Sequence, residues 1–293
     1  MVTIGIVHSS AVPPRSSRMI INALKDKGVN VKYLPYQGIG IKIGIGNKTE
    51  IYIGSKNIEI DGALVRGLGS TITLDVFLHR LTILFALENR IPVVNSPKSL
   101  LYTRNKLLTL LFLAKNGIPV PESFSSENLR IIYNFATGFN KIVLKPIMGS
   151  RGYGSMLMED RDMSYQVCRR LLAVNIVPLL QRYISKPNRD LRIFVIDGEV
   201  VASMYRISNS WKTNIAQGAI GKKFKPSEEV KEVAIKSTEV LGLKYAGVDI
   251  AEEEDKIYVL EVNGSPDFEG LMTATLVDIP SLIAEMMIKT VKK

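Results

Sequence analysis

The first 95 residues alternate between short apolar segments and one-sided helical patterns. Apolar runs bounded by turn residues predict strands, and apolar residues spaced three and four apart predict helices. The predicted strands are VTIGIVHS (2–9), VNVKYLPY (29–36) and EIDGALVRG (59–67), and the predicted helices are SSRMIINALKDKG (16–28) and LDVFLHRLTILFALENRI (74–91). Alternation of this kind indicates an α/β fold built on a mostly parallel sheet.

The stretch between the second and third strands, residues 37–60, is punctuated by glycines and alternates apolar with polar residues. Gly38, Gly40, Gly44 and Gly46 superficially suggest a dinucleotide-binding loop. Their spacing is wrong for that loop, and no helix follows to offer its N-terminus to a pyrophosphate. We therefore expect small strands and turns here.

The pattern of predicted elements changes near residue 96. We expect one long helix over SLLYTRNKLLTLLFLAKNG (99–117), a helix near 163–172, and a linker at KPNRD (186–190). Two hairpins and a terminal helix follow. The prediction is an N-terminal α/β domain at 1–95 and two α+β subdomains at 96–185 and 186–293.

Composition excludes several classes of protein. One cysteine rules out a disulfide framework or a cysteine metal site, and the two histidines, His8 and His79, lack an evident nucleophilic partner and are interpreted as structural. No apolar run approaches the ~18 residues of a membrane span, and no leader precedes the first strand, so we expect a cytoplasmic protein without a membrane partner. The net charge of +10 favours an anionic substrate or partner.

The strongest chemical signal lies in a predicted hairpin between Tyr245 and Gly264. A turn near Glu254 would set Asp249 opposite Glu261, with Asn263 on the same face and Tyr258, Leu260 and Val262 on the core face. Two facing carboxylates repel each other, and a divalent cation would relieve that repulsion. Carboxylate and amide oxygens suit magnesium shared with phosphates, whereas the alternative is a solvated acidic face without an ion.

A second signal is KIVLKPIMGSRGYGS (141–155), in which Lys145 ends a predicted buried strand and a glycine-rich turn follows. Glycines allow backbone N–H groups to approach phosphate oxygens, and an ammonium group adds a positive charge. The segment is not a Walker A loop, and an ordinary flexible turn is the alternative.

The third signal is the hairpin DLRIFVIDGEVVASMYRI (190–207). Asp190 and Arg192 share one face of its first strand. A two-residue turn would put Arg206 on the opposite face and a three-residue loop on the same face, so the pattern leaves this open. Arginines near Lys212, Thr213 and Asn214 could hold an anion that develops charge during a reaction, and solvated surface arginines are the alternative.

Taken in order, Lys106, the KP-glycine loop, QRYI (181–184), D-x-R, W-K-T-N (211–214), GVDI (247–250) and EVNGSPDFEG (261–270) resemble the RimK-type ATP-grasp ligases. The resemblance covers most of the chain from about residue 60 to the end. It implies the ATP-grasp fold, in which two α+β subdomains sandwich a nucleotide behind a small N-terminal α/β domain.

The resemblance also implies roles for individual residues. Those matched to the nucleotide are Lys106, Lys145, Gly149, Ser150 and Gly152 at the phosphates, Arg182 and Tyr183 at the adenine, and Asp190, Lys212, Thr213 and Asn214 nearby. Those matched to magnesium, for which manganese can substitute, are Asp249, Glu261 and Asn263, and those matched to the reaction intermediates are Arg192 and Arg206. Arg182 stands where relatives usually carry a glutamate.

The implied activity is an ATP-dependent carboxylate–amine ligase that forms an amide through an acylphosphate. The family adds glutamate to coenzyme or protein acceptors, and an acidic amino-group carrier protein of lysine or arginine biosynthesis is an alternative acceptor. A non-catalytic ATP-binding regulator is a rival, but it would not need the complete set of arginines and metal ligands. Nucleic acid is disfavoured as a partner because the basic residues are dispersed and no binding motif is present. Relatives form dimers or tetramers, so a homo-oligomer is compatible with the sequence.

Overall fold

The computed structural model describes residues 1–46, 48–69, 72–149 and 152–292. In these residues the N-terminal third of the chain forms two sheets. The elements are β1 (Thr3–His8), α1 (Arg15–Asp26), β2 (Asn30–Pro35), β3 (Ile39–Ile45), β4 (Lys48–Ile53), β5 (Lys56–Asn57), β6 (Gly62–Val65), α2 (Leu74–Glu88) and β7 (Val93–Val94).

The first sheet has the order β2-β1-β6-β7, and all its strand pairs are parallel. Ile4, Ile6 and Val7 of the central strand β1 are completely buried, as expected for a parallel strand covered on both faces. The predicted α/β architecture with a parallel sheet is thus confirmed. Strands β3, β4 and β5 form a separate antiparallel sheet in the glycine-punctuated stretch, as the alternation indicates.

The middle of the chain forms a four-stranded antiparallel sheet of order β10-β9-β11-β8 with flanking helices. Its elements are α3 (Pro97–Arg104), α4 (Lys106–Lys115), β8 (Ser123–Ser125), α5 (Leu129–Ala136), β9 (Ile142–Pro146), β10 (Met156–Met158), α6 (Arg161–Ala173) and β11 (Pro178–Arg182).

The single long helix expected over 99–117 is wrong, because Asn105 divides it into α3 and α4. Asn105 has an extended backbone (φ −102°, ψ 102°), and its side chain accepts a hydrogen bond from the backbone N–H of Leu108 at 3.0 Å. Asparagine offers the backbone this alternative to continuing a helix, so the polar break caps α4. Lys106 becomes the first residue of α4 as a result.

The last third forms a five-stranded antiparallel sheet of order β14-β13-β12-β15-β16. Its elements are β12 (Arg189–Ile196), β13 (Glu199–Ile207), β14 (Ile220–Lys223), α7 (Glu228–Val240), β15 (Tyr245–Glu253), β16 (Lys256–Asn263), α8 (Glu269–Thr275) and α9 (Ile279–Val291). The linker expected at 186–190 is wrong at its end, because Arg189 and Asp190 already pair with β13.

The packing does not follow the chain order. Leu113 of α4 is buried in the core of the last sheet, while Ile279 and Ile283 of α9 share a core with Ile4 and Ile20 of the N-terminal third. Asn95 is fully buried and bonds to the backbone of residues 244, 245 and 264. The domain boundaries at 95 and 185 therefore stay predictions.

None of the helices in the described residues is, taken singly, long and apolar enough to cross a membrane. The pair Glu269–Thr275 and Ile279–Val291 meets the length and composition criterion jointly, with a bend of 117° between them.

Candidate active site

The register of the β12–β13 hairpin determines on which face of the sheet the Arg206 side chain lies. Its turn has two residues, Asp197 and Gly198, both with positive φ, since Ile196 pairs with Glu199. A bulge beside Phe194 shifts the register by one residue, so Arg206 pairs with Asp190. A β-bulge places two residues of one strand opposite one of the other and so reverses which side chains share a face. Arg206 therefore lies with Asp190 and Arg192 despite the short turn.

A second bulge sets the geometry of the β15–β16 hairpin. The turn is Glu254–Asp255, and a register set by the turn alone would pair Asp249 with Leu260. Irregular pairing after Asp249 leaves Leu260 as the extra residue, and Asp249 pairs with Glu261, as predicted. The expectation that Tyr258 and Leu260 lie in the core is wrong, because the bulge changes the alternation.

The two residues of β16 buried in the core are instead Val259 and Val262. Tyr258 and Leu260 are only partly buried, and Leu260 lines the cleft described below. The bulge thus converts one predicted core residue into a wall of the cleft.

A buried cluster of two acids and two arginines occupies the shared face. Arg206 donates to both oxygens of Asp190 at 2.7 Å, and its Nη2 also lies 3.0 Å from Asp249 Oδ2. Arg192 Nε lies 3.1 Å from Asp249 Oδ1, and Thr213 donates its hydroxyl to Asp190. Burial alone would lower the pKa of Arg206, but the charges of Asp249 and Asp190 outweigh burial and raise it. For Asp249 burial raises the pKa, although the charges of Arg192 and Arg206 act to lower it.

Two lysines lie beside this cluster. Lys106 Nζ is 3.0 Å from Glu261 and donates to the carbonyl of Gly149 at 2.8 Å. Burial alone would raise the pKa of Glu261, but Lys106 outweighs it and holds that pKa below its usual range. Lys145 donates to Gln181 at 2.6 Å, and burial lowers the pKa of Lys145 to about 8. Lys145 thus has no anion at contact distance among the described residues and is suited to receive one.

A cleft between the middle sheet and the last sheet collects most of the predicted site residues. Those lining it are Lys106, Lys145, Gly149, Gly152, Arg182, Tyr183, Asp190, Arg206, Lys212, Thr213, Asn214, Asp249 and Glu261. Arg192 and Asn263 are not among the residues that line it: Arg192 forms an ion pair with Asp249, which does line it, and Asn263 pairs with Gly247. Ser150 lies outside the described residues.

The glycine-rich loop lies against the segment that follows the β12–β13 hairpin. Gly152 has φ +74°, and a Cβ there would overlap the side-chain oxygen of Asn214. Lys212 donates to the carbonyl of Gly152 at 3.4 Å. A residue with a side chain would be strained at this position and would push Asn214 away, so glycine allows the loop to close on Lys212 and Asn214.

The opposite end of the cleft is formed by the strand end at Arg182 and Tyr183. The Arg182 side chain makes two hydrogen bonds to Glu253, at 3.1 and 2.9 Å, and lies 5.2 Å from the Tyr258 ring centre. The bonds to Arg182 hold the pKa of Glu253 below its usual range. This arginine thus ties the middle sheet to the last hairpin with its side chain and leaves only its neighbouring backbone for a planar ligand.

The donor set fits a magnesium ion that arrives with phosphates. Asp249 Oδ1 is buried and accepts no hydrogen bond within the described part of the chain, since the nearby Arg192 Nε does not have hydrogen-bond geometry. Among the described residues no group of three or more His, Cys, Asp or Glu side chains could hold a metal. Two carboxylates and an amide are too few ligands alone, but magnesium commonly takes one or two carboxylates and completes its shell with phosphate oxygens and water.

Several residues that line the cleft are not predicted from the sequence. Gln181 receives the Lys145 hydrogen bond and in turn donates to Ser123 at 3.0 Å. Lys186 donates to the carbonyl of Arg189 at 3.2 Å, and burial lowers its pKa. No local sequence pattern marks Lys186. The QRYI segment could have pointed to Gln181, because the same segment carries the predicted site residues Arg182 and Tyr183.

The chain resembles known proteins both in sequence and in fold. Residues 103–287 match the RimK-like ATP-grasp domain. The chain is 37% identical over 244 residues to the tetrahydromethanopterin:alpha-L-glutamate ligase of Methanocaldococcus jannaschii, covering 80% of this chain and 81% of that enzyme. It is 32% identical over 210 residues to the alpha-aminoadipate–LysW ligase LysX of Saccharolobus solfataricus, covering 69% and 76% of the two chains.

Among solved structures, the ATP-grasp ligase PsnB complexed with a precursor variant, Mg and ADP superposes with a TM-score of 0.76. The match covers 100% of this chain and 99% of PsnB at 22% identity, which supports the fold. The family match spans more than half of the chain and the sequence relatives cover most of it. This chain accordingly belongs to the RimK-like ATP-grasp family, whose members are ligases that form carbon–nitrogen bonds.

Proposed function

We propose that this ligase joins the amino group of L-glutamate to a carboxylate of an anionic coenzyme, with ATP as phosphoryl donor. The observation that carries the proposal is the shared face on which Arg192, Arg206, Asp249 and Glu261 meet beside two lysines. The relative with 37% identity is named for glutamate addition to tetrahydromethanopterin. A net charge of +10 would draw an anionic acceptor towards the protein by long-range attraction.

The cleft residues divide between the two ends of ATP. Lys106 and Lys145 would bind the phosphates, and Gly149 with Gly152 would bring backbone groups close to them. The segment at Arg182 and Tyr183 would face the adenine. The surroundings of Lys145 support this orientation of ATP. Its pKa is lowered and its partner Gln181 is neutral, so Lys145 can accept an anionic phosphate as a ligand.

Three further residues, Lys212, Thr213 and Asn214, complete the phosphate end in this proposal. Thr213 is held by Asp190, and Asn214 lies against Gly152 of the glycine-rich loop. The loop would close over the reacting groups and exclude water from them. If Gly152→Ala left turnover unchanged, closure of this loop would have no part in the reaction.

Asp249, Glu261 and Asn263 would hold magnesium, and manganese could replace it. The ion, when bound, supplies positive charge to the oxygens of the transferring phosphoryl group. Asp249 offers Oδ1 for this purpose, which is ion-paired with Arg192 but accepts no hydrogen bond from the described residues, and Glu261 has Lys106 as its partner. Asn263 is placed on the same strand face as Glu261 by its register opposite Gly247.

The proposed reaction has two steps. A carboxylate oxygen of the acceptor attacks the γ-phosphorus of ATP, the bond to ADP breaks, and an acylphosphate forms. The uncharged amino group of glutamate then attacks the carbonyl carbon, phosphate leaves with one former carboxylate oxygen, and the nitrogen releases one proton as the amide forms. Arg192 and Arg206 would stabilise the negative oxygen of the tetrahedral intermediate, and Asp190 positions Arg206 for this role by two hydrogen bonds.

An acidic carrier protein is the second candidate acceptor. It is favoured by the relative of 32% identity, which is named for ligation of alpha-aminoadipate to LysW. Such a protein would present a carboxylate to the same face, so the proposed chemistry is unchanged. The two candidates differ in the size and the number of charges of the acceptor.

The proposal is tested by measuring ADP and phosphate release from magnesium–ATP and L-glutamate with each acceptor in turn. The panel contains tetrahydromethanopterin and an acidic carrier protein of the LysW type. We expect release that depends on one acceptor and falls at least ~100-fold in Asp249→Asn and Glu261→Gln. The matched control is Asp255→Asn, an exposed residue at the turn of the same hairpin, which should leave the rate unchanged. Equal rates in Asp249→Asn and the native protein would refute the assignment of this face.

A further inference from the structure

Two buried arginines of the N-terminal third have no acidic partner among the described residues. Arg66 follows β6 and is 6% exposed, and Arg80 lies within α2 and is 8% exposed. Arg66 donates to the hydroxyl of Tyr245 at 3.3 Å and to the carbonyl of Pro266 at 3.0 Å, and Arg80 donates to the carbonyl of Leu68. All three acceptors are neutral, and Arg66 Nε is buried without a hydrogen-bond partner in the part of the chain that the structure describes.

Aromatic rings cover both guanidinium groups without neutralising them. Arg66 lies 5.2 Å from the centre of the Phe268 ring, and Arg80 lies 5.0 Å from that of Tyr36. Arginine stays protonated even when it is buried, so both positive charges persist in a poorly solvated region. A buried charge is ordinarily paired, and neither guanidinium group has an acidic partner among the described residues, so a bound anion would supply the missing counter-charge.

His8, at the end of β1, presents a hydrogen-bond donor to the same region. Its Nδ1 accepts the backbone N–H of Ser10 at 2.8 Å. Burial and then the charges of Arg66 and Arg80 lower its pKa to about 4, so the ring is neutral. A neutral ring that accepts at Nδ1 carries its proton on Nε2. That N–H has no partner in the described part of the chain and lies beside Gly67, where a Cβ would be only 3.3 Å away.

These residues lie at the position where open α/β sheets bind ligands. β1 pairs with β2 on one side and with β6 on the other, so the sheet order reverses at β1. His8 ends β1 and Arg66 follows β6, so both stand at the carboxyl edge of this reversal. Ligands of such sheets occupy the crevice outside the carboxyl ends of the strands at this switch point.

The cluster is also connected to the reacting face. Pro266, whose carbonyl accepts from Arg66, lies so close to Gly247 that a Cβ there would be 2.9 Å from the Pro266 ring. A Cβ on Gly247 would overlap Arg192 Nη1 as well, and Nη1 is itself buried without a hydrogen-bond partner among the described residues. Pro266 and Gly247 thus lie between Arg66 and Arg192.

We infer that His8, Arg66 and Arg80, the strand-end cluster, form a carboxylate subsite that binds a non-reacting carboxylate of a substrate. The inference rests on the proposed ligase function and adds a substrate contact in the N-terminal third. The two sources of such a carboxylate are the incoming glutamate and the anionic acceptor. Arg66 and Arg80 supply the charge, and His8 Nε2–H donates the hydrogen bond.

The test uses two substitutions of His8 that separate its two nitrogens. His8→Asn keeps an acceptor near Nδ1 for Ser10 and loses the distal donor, whereas His8→Gln keeps a donor near Nε2. Arg80→Gln removes one positive charge from the cluster. It leaves Arg66 unchanged, whose side chain donates a hydrogen bond to the carbonyl of Pro266. Arg90→Gln is the matched control, because Arg90 is an exposed arginine next to the same sheet.

The Michaelis constants for L-glutamate and for the acceptor are measured separately, together with the affinity for ADP and magnesium. We expect His8→Asn and Arg80→Gln to raise one of the two constants by about 10- to 100-fold, the size of one lost hydrogen bond to a charged group. His8→Gln, Arg90→Gln and ADP affinity should remain near native values. The constant that changes identifies which substrate supplies the carboxylate.

Native values of both constants in His8→Asn and Arg80→Gln would overturn the subsite and leave the ligase proposal intact. If the native protein turns over no acceptor, the ligase proposal fails, and the subsite is tested by calorimetric titration of L-glutamate and glutarate in the presence of ADP and magnesium. Binding that is lost in Arg80→Gln and kept in Arg90→Gln supports the subsite. No binding to the native protein, or equal binding to Arg80→Gln, overturns it.

Discussion

The buried cluster of Asp190, Arg192, Arg206 and Asp249 predicts a large stability loss in Asp190→Asn. Asp190 and Arg206 are 4% and 3% exposed, and the cluster carries two positive and two negative charges. Removing one acid leaves a net charge of +1 in a cluster whose side chains are largely buried. Breaking a buried pair by removing one partner costs about 3–5 kcal/mol. We expect about 3 kcal/mol, the lower end, because Asp249 still contacts Arg206.

The assay is urea-induced unfolding of the ligand-free protein, with the free energy of unfolding extrapolated to water. Asp197→Asn is the matched control, because Asp197 forms ion pairs with Lys244 and Lys289 at the surface. Exposed pairs contribute about 0–1 kcal/mol, so this change should have little effect. A loss below about 1 kcal/mol in Asp190→Asn would refute the reasoning, since Arg206 would then not depend on Asp190 for its buried position.

Three further outcomes follow from single contacts. The pKa of Lys145 is about 8 in the free protein, and a bound phosphate should raise it. Calorimetric titration with ADP and magnesium at pH 8, in two buffers of different ionisation enthalpy, should therefore show uptake of up to about half a proton. Binding without proton uptake would contradict this. Gly247→Ala should lower kcat at least ~10-fold by displacing Arg192 while ADP affinity stays native, and an unchanged kcat would contradict the role of Arg192. Asn95→Ala should lower the free energy of unfolding by about 3 kcal/mol, because it removes the buried partner of two backbone carbonyls, of Tyr245 and Gly264, and of the N–H groups of Lys244 and Tyr245. A loss under about 1 kcal/mol would contradict this.

Local pattern predicts the elements of this chain well where one physical rule dominates. The parallel sheet follows from the alternation of apolar strands with helices. Asp249 faces Glu261 as predicted, but the register that brings them together depends on a bulge that the turn does not indicate. The pattern fails at Asn105, whose side chain caps a new helix inside a continuous apolar period. The period alone does not reveal that a polar residue within it will bond to the backbone.

The two bulges show why the site could not be fully predicted. Each bulge adds one residue to a strand, beside Phe194 and after Asp249, and each changes which side chains share the face. Nothing in the local sequence marks these positions, because a bulge is selected by packing between strands rather than by the turn. The faces of Arg206 and Leu260 depend on them.

Contacts between segments that are distant along the chain could not be predicted from the sequence either. The match of Asp190 to a nucleotide contact stays a prediction; in the structure Arg206 donates to both of its oxygens and Thr213 donates to one of them. His8 is interpreted from the sequence as structural, since no partner lies near it along the chain. The environment of His8 is set by Arg66 and Arg80, which only the strand order brings to it.

Transfer of oxygen from the acceptor to phosphate tests the central claim most directly. The acceptor carboxylate is labelled with heavy oxygen (¹⁸O), the ligase is run with ATP, magnesium and L-glutamate, and the released phosphate is examined by mass spectrometry. Formation of an acylphosphate on the face of Arg192 and Arg206 predicts one labelled oxygen in each phosphate released. Release of amide product with unlabelled phosphate would contradict the account, because the carboxylate would then have been activated without bonding to the γ-phosphoryl group.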